Sequence, residues 1–100
     1  MASNTKLTKE QKSILRNMKA EYPHVKFASD GVQIVCAYYR EGSNIRFAFS
    51  IMSRDEIKFR RKVGELYAME RVLPDFNDQY AILPEAYFYE MLNALGFGNE

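Results

Sequence analysis

Asp55-Glu56-Ile57-Lys58-Phe59-Arg60-Arg61-Lys62-Val63-Gly64-Glu65-Leu66-Tyr67-Ala68-Met69-Glu70-Arg71-Val72-Leu73 is the stretch whose reading decides the fold. At about 100° per residue, Phe59, Val63, Leu66, Met69 and Leu73 form one broad apolar face, and Ile57, Gly64, Ala68 and Val72 form a narrower stripe roughly opposite. A helix with two apolar stripes has two things to pack against: a sheet on one side, and the last helix or a second molecule on the other. Gly64 in a helix interior costs about 1 kcal/mol relative to Ala. With Ala68 one turn on, it marks a close approach by another backbone. Ser53 or Asp55 caps the helix start, and Arg54, Lys58, Arg60, Arg61 and Lys62 crowd its first turns, where backbone amides and the helix dipole also favour an anion. The competing reading is that these side chains lie over the core edge or pair locally, for instance Arg61 with Glu65 at i,i+4.

Upstream, Thr8 followed by Gln11 is a capping box, so a first helix is expected over roughly 8–21 after a frayed tail at 1–6. Leu7, Ile14, Leu15, Met18 and Tyr22 fall at helical spacing and face inward. Lys9, Lys12, Arg16 and Lys19 line another face, either as a phosphate-binding stripe or as ordinary solvated surface. Pro23 ends this helix and the apolar period changes to two. His24 to Ala28 and Val32 to Tyr39 read as a hairpin around Ser29-Asp30-Gly31, and Glu41-Gly42-Ser43-Asn44 as a second turn into Ile45 to Ile51.

A four-residue second turn places Tyr38 opposite Phe47, Cys36 opposite Phe49 and Ile34 opposite Ile51 on the core face. Tyr39 and Arg46 then sit side by side on the outer face, and a one-residue slip would reverse strand two. After Pro74, Gln79 to Leu83 is a further extended segment. Pro84 suits a first helical turn, and Tyr87, Phe88, Met91, Leu92 and Leu95 form the apolar face of a last helix ended by Gly96. The expected order is α-β-β-β-α-(β)-α, an α+β fold with a three-stranded antiparallel meander in a single domain spanning 1–100.

The chain has 100 residues, 47% hydrophobic and 14% aromatic, enough for one core. Its net charge of +1 conceals an uneven distribution. Residues 1–26 carry six Lys and Arg against two Asp and Glu, 54–62 carry five against two, and 63–100 carry one against seven. Uniform polybasic adhesion is therefore excluded, while basic segments remain beside an acidic C-terminal third. A single cysteine points to a reducing compartment, with the cytosol as the default. No apolar run long enough for a signal sequence or membrane span is present, so no membrane association is expected.

One His and one Cys cannot assemble a Cys/His zinc site. Cys36 lies inside a strand pattern rather than beside a base, and no Gly-rich phosphate loop or nucleophile elbow occurs. No metal, no cofactor and no catalysis are expected. Among the tyrosines, Tyr39 and Tyr89 fall on predicted outer faces. Together with Arg46 they are candidate interface anchors, since Tyr and Arg are enriched where proteins meet. Two copies could also meet through the second stripe of the central helix or a free strand edge.

The order from Leu7 to Leu73, with Arg61-Lys62-x-Gly64 and then Ala68-Met69 and Val72-Leu73, resembles a double-stranded-RNA-binding domain, although Ser29-Asp30-Gly31 stands where that family has a longer loop. Asp55, Phe59-Arg60-Arg61-Lys62-Val63-Gly64 and Ala68-Met69-Glu70-Arg71 resemble small accessory proteins of tailed bacteriophages. The second resemblance implies a host-takeover or counter-defence protein that acts by stoichiometric binding to a host protein or protein–nucleic-acid complex. The first implies direct contact with nucleic acid.

Overall fold

The computed structural model describes residues 8–52, 61–74 and 79–97. Three helices, α1 (Lys9–Glu21), α2 (Arg61–Val72) and α3 (Glu85–Ala94), enclose four strands, β1 (Lys26–Ser29), β2 (Ile34–Glu41), β3 (Asn44–Ile51) and β4 (Ala81–Pro84). The strands form one antiparallel sheet in the order β1-β2-β3-β4. The α+β class and element order expected from the sequence are those observed, with the extended segment after Pro74 joining the sheet as a fourth strand. The expected tail at 1–6, the cap at Ser53 or Asp55, and Arg54, Lys58 and Arg60 lie outside the described residues.

Local chemistry explains the boundaries. Thr8 Oγ1 accepts from the Gln11 amide at 3.1 Å and the Gln11 side chain accepts from the Thr8 amide at 2.9 Å, so both halves of the capping box are made. In the first hairpin, Asp30 Oδ1 accepts from the amides of Val32, Gln33 and Ile34 at 2.8, 3.0 and 3.0 Å. Desolvation works against that carboxylate, but those backbone bonds prevail and hold its pKa below the ordinary value.

The second hairpin turns on two residues, Gly42 and Ser43, because Glu41 and Asn44 are themselves paired. Gly42 has φ +67° and Ser43 has no positive φ, the pattern of a type II′ turn, whose twist matches the strands. The turn is shorter than the four residues expected, yet it has the same centre, so the register is as read: Tyr38 opposite Phe47, Cys36 opposite Phe49, Tyr39 opposite Arg46. At the end of α3, the Gly96 amide donates to Asn93 O and the Phe97 amide to Leu92 O, a Schellman ending that returns Phe97 to the core.

Both faces of the sheet are covered. Val35, Ala37 and Ala48 pack with Leu15 and Met18 of α1 and Leu66, Ala68, Met69 and Val72 of α2. Cys36, Tyr38, Ile45 and Phe47 pack with Phe88 and Leu92 of α3 and with Phe97. This corrects the expected outer face. Arg46 is only 6% exposed, and Tyr39 is half-buried against the α1–α2 layer.

The neighbours of α2 are corrected too. Its Gly64–Ala68–Val72 stripe lies on its own sheet, and α3 lies on the other side of that sheet. A Cβ on Gly64 would stand 2.5 Å from Val35 Cγ2 and 3.1 Å from Val35 Cβ, so the close approach is to a side chain rather than another backbone. With Ala68 and Val72 fully buried there, that stripe is occupied within one chain and is not open for homodimerisation.

Gly64→Ala therefore sets a helix-propensity gain of about 1 kcal/mol against a clash with a buried, β-branched side chain that has little rotamer freedom. The clash prevails. Denaturant unfolding should show a net loss of about 1–3 kcal/mol; a gain in stability would mean that α2 stands farther from β2.

Candidate functional site

The basic residues singled out on α1 and on the start of α2 are brought together. A groove of about 350 Å³ is lined, among the described residues, by Lys12, Leu15, Arg16, Lys19 and Lys62. Three of its cations come from one face of α1, at positions i, i+4 and i+7. The fourth stands in the first turn of α2. Leu15, which belongs to the core, contributes the apolar part of the lining. Lys9 is exposed on α1 but is not among the groove residues.

Glu65 fixes this arrangement. Its carboxylate is nearly buried and accepts from Lys19 Nζ at 2.6 Å through one oxygen and from Arg61 Nε at 3.1 Å through the other. The local pairing of Arg61 with Glu65 is thus present, and it shares the carboxylate with a cation from another helix. Lys19 also lies 5.2 Å from the Phe27 ring centroid, so this side chain joins α1, α2 and β1. None of the ion pairs among the described residues engages Lys12, Arg16 or Lys62. The groove therefore keeps net positive charge, and at its edge Lys19 and Arg61 together exceed the single Glu65 carboxylate by one charge.

The anchor candidates are dispersed. Tyr89 is 39% exposed on α3, its ring against Phe88 and Tyr38, on the face of the sheet away from the groove. Arg46 is an internal residue: its Nε donates to Val72 O at 2.8 Å, placing a cation at the C-terminal end of α2, where the helix dipole favours it. Tyr39 faces Arg46 across the strand pair; burial raises its hydroxyl pKa and the Arg46 charge lowers it, with burial prevailing. Gly64 and Ala68 belong to packing alone.

Sequence reasoning missed the Lys19–Glu65 and Arg40–Glu85 pairs, which join residues 46 and 45 positions apart. No local spacing could announce either. Cys36 is buried and its thiol is pushed up to about 12 by desolvation, so it is held as an inert thiol. Among the described residues no group of three His, Cys, Asp or Glu is placed to hold a metal, and no helix is long and apolar enough to cross a membrane.

No protein-family model matches the chain, and no curated protein or solved structure matches it either.

Glu65→Gln should weaken anion binding in the groove, because the carboxylate that holds Lys19 of α1 beside α2 is lost and the cations are no longer held together. Lys19 and Arg61 keep 41% and 36% of their side-chain surface in water, so the stability loss should be about 1 kcal/mol or less. Titration with a short polyphosphate, beside a thermal melt, checks both; unchanged affinity would separate the groove from anion binding.

Proposed function

We propose that the chain is a non-enzymatic interaction protein that presents the α1–α2 groove to an acidic surface of a host protein or of a protein–nucleic-acid complex. The observation that carries this reading is the convergence of Lys12, Arg16, Lys19 and Lys62 from two separate helices around one concave surface. Clustered, water-exposed cations raise encounter rates with acidic partners and disfavour basic ones. Their long aliphatic stems beside Leu15 add apolar contact without burying the charged heads.

The resemblance to bacteriophage accessory proteins adds the biological setting: a host-takeover or counter-defence protein that acts by stoichiometric binding in the host cytoplasm. That setting rests on the Phe59–Gly64 and Ala68–Arg71 pattern, while the groove supports only the chemistry of the partner's surface.

A second reading, direct binding to nucleic acid through the basic helix faces, is favoured by one observation. The cations of α1 and those at the start of α2 lie on the same side of the sheet, as a face tracking phosphates requires. It agrees with the α-β-β-β-α order that resembles a double-stranded-RNA-binding domain.

The two readings separate cleanly. In a pull-down from bacterial lysate, a partner retained by the wild type should be lost with Lys12→Glu/Arg16→Glu/Lys62→Glu; equal retention by the triple variant overturns the leading reading. Direct nucleic-acid binding predicts a mobility shift whose log affinity falls with log salt at a slope of about −3 to −4 for four phosphate contacts. No shift at low salt removes it.

A further inference from the structure

The sheet ends on β4, and one residue of that edge keeps free backbone groups. The Met52 amide donates to Gln33 O on the β2 side of β3, whereas the Phe49 carbonyl accepts from Arg71 on the opposite side. The odd-numbered residues of β3 therefore turn their peptide groups toward β4. Ile45–Leu83 and Phe47–Ala81 are the hydrogen-bonded pairs of that ladder, and Ile82, between them, turns its own N–H and C=O outward. Neither group meets a partner among the described residues.

This edge lacks the charges that commonly keep edges apart. Residues 79–84 carry none, whereas the opposite edge strand, β1, opens with the exposed Lys26. Ile82 is 43% exposed and Tyr80 37%. Both lie on the α1–α2 face of the sheet: Ile82 stands opposite Arg46, and the Tyr80 ring centroid is 3.4 Å from Arg46 Cζ. That stack already fixes the Tyr80 ring, so a contact made by it loses little side-chain freedom.

We propose that β4 is a self-association edge whose occupant is β4 of a second copy, running antiparallel about a twofold axis beside Ile82. The edge is complementary to itself. Ile82 offers one donor and one acceptor, and with Ile82 of one copy opposite Ile82 of the other, both are satisfied in both copies. A longer strand from another protein would find no further N–H at Pro84, so extra length brings it no advantage. Without charge, identical edges meet free of like-charge repulsion. The pairing sets the two Ile82 side chains next to each other and joins the two four-stranded sheets into one. So short an edge places the pair among weak interfaces, which bury less than about 1,200 Å².

A twofold axis normal to the sheet keeps the α1–α2 layers of both copies on one side. Both basic grooves then face the same way, and a partner with repeated acidic sites is held bivalently. The pairing itself rests on β4 and does not depend on the groove's role.

Sedimentation equilibrium and amide NMR, at protein concentrations up to about 1 mM to populate a weak pair, test the proposal. Wild type should move toward the dimer mass, with concentration-dependent shifts centred on residues 80–83. Ile82→Lys sets like charges at the axis, and Ile82→Pro removes the outward donor, a change an edge strand tolerates. Each should stay monomeric with a dispersed amide spectrum; if one does not fold, the other decides. A wild type that is monomeric throughout, shifts centred away from β4, or a dimer that survives in a folded variant would each overturn the proposal.

Discussion

The contact between Gly64 and Val35 is the constraint on which the rest of the structure depends. Removing one Cβ from α2 lets the helix backbone settle onto β2 and β3, with Val35 Cγ2 in the space that side chain would fill. The residues around it are small for the same reason: Ala37 and Ala48 on the sheet, Ala68 one turn along the helix. Once α2 is seated there, its two ends are placed. Near the first, Glu65 can reach Lys19 of α1 and define the groove; at the second, the Val72 carbonyl meets Arg46.

The two sides of the sheet are packed by different means. The α1–α2 side uses small side chains and close approach, whereas the α3 side uses volume: Phe88 lies 5.0 Å from the Tyr38 ring and 5.1 Å from that of Phe47, both tilted. Such aromatic contacts add specific geometry to burial. Because both faces are covered, the middle of β2 is apolar without interruption, Val35-Cys36-Ala37-Tyr38, as expected of a strand buried on two sides. The fourth strand is short, and beyond the Phe47–Ala81 pair the Phe49 carbonyl accepts from Arg71 Nη1 at 2.9 Å. A side chain of α2 thus satisfies a strand group that β4 does not reach.

Much of this was legible in residue order. The Thr8–Gln11 capping box, the centre of the second turn, the register of β2 on β3, and the Gly96 helix ending are local signals, and the structure follows them. What covered the second face of the sheet was not legible, since alternation in Ile45 to Ile51 separates two faces without naming their neighbours. One signal was available: the positions between the large residues are Ala48 and Ser50, with Ala37 across the pair, too small for a solvated face and suited to a close helix. Arg46 in the same row looked like a surface residue, yet it serves the end of α2. For the site, the two basic clusters could be read from the sequence. Their convergence could not, because it rests on Glu65 joining helices far apart in the chain.

The functional account therefore rests on a surface assembled by packing rather than on a motif. Cations on α1 become a site only because α2 is close enough to the sheet for Glu65 to hold Lys19 and for Lys62 to face Lys12 and Arg16 across one groove. Amide NMR of the labelled protein during titration with a short polyglutamate peptide tests that claim most directly. The account predicts saturable, salt-sensitive shifts centred on Lys12, Arg16, Lys19 and Lys62. Shifts centred on α3, or spread equally over Lys26 and Arg40, would contradict it.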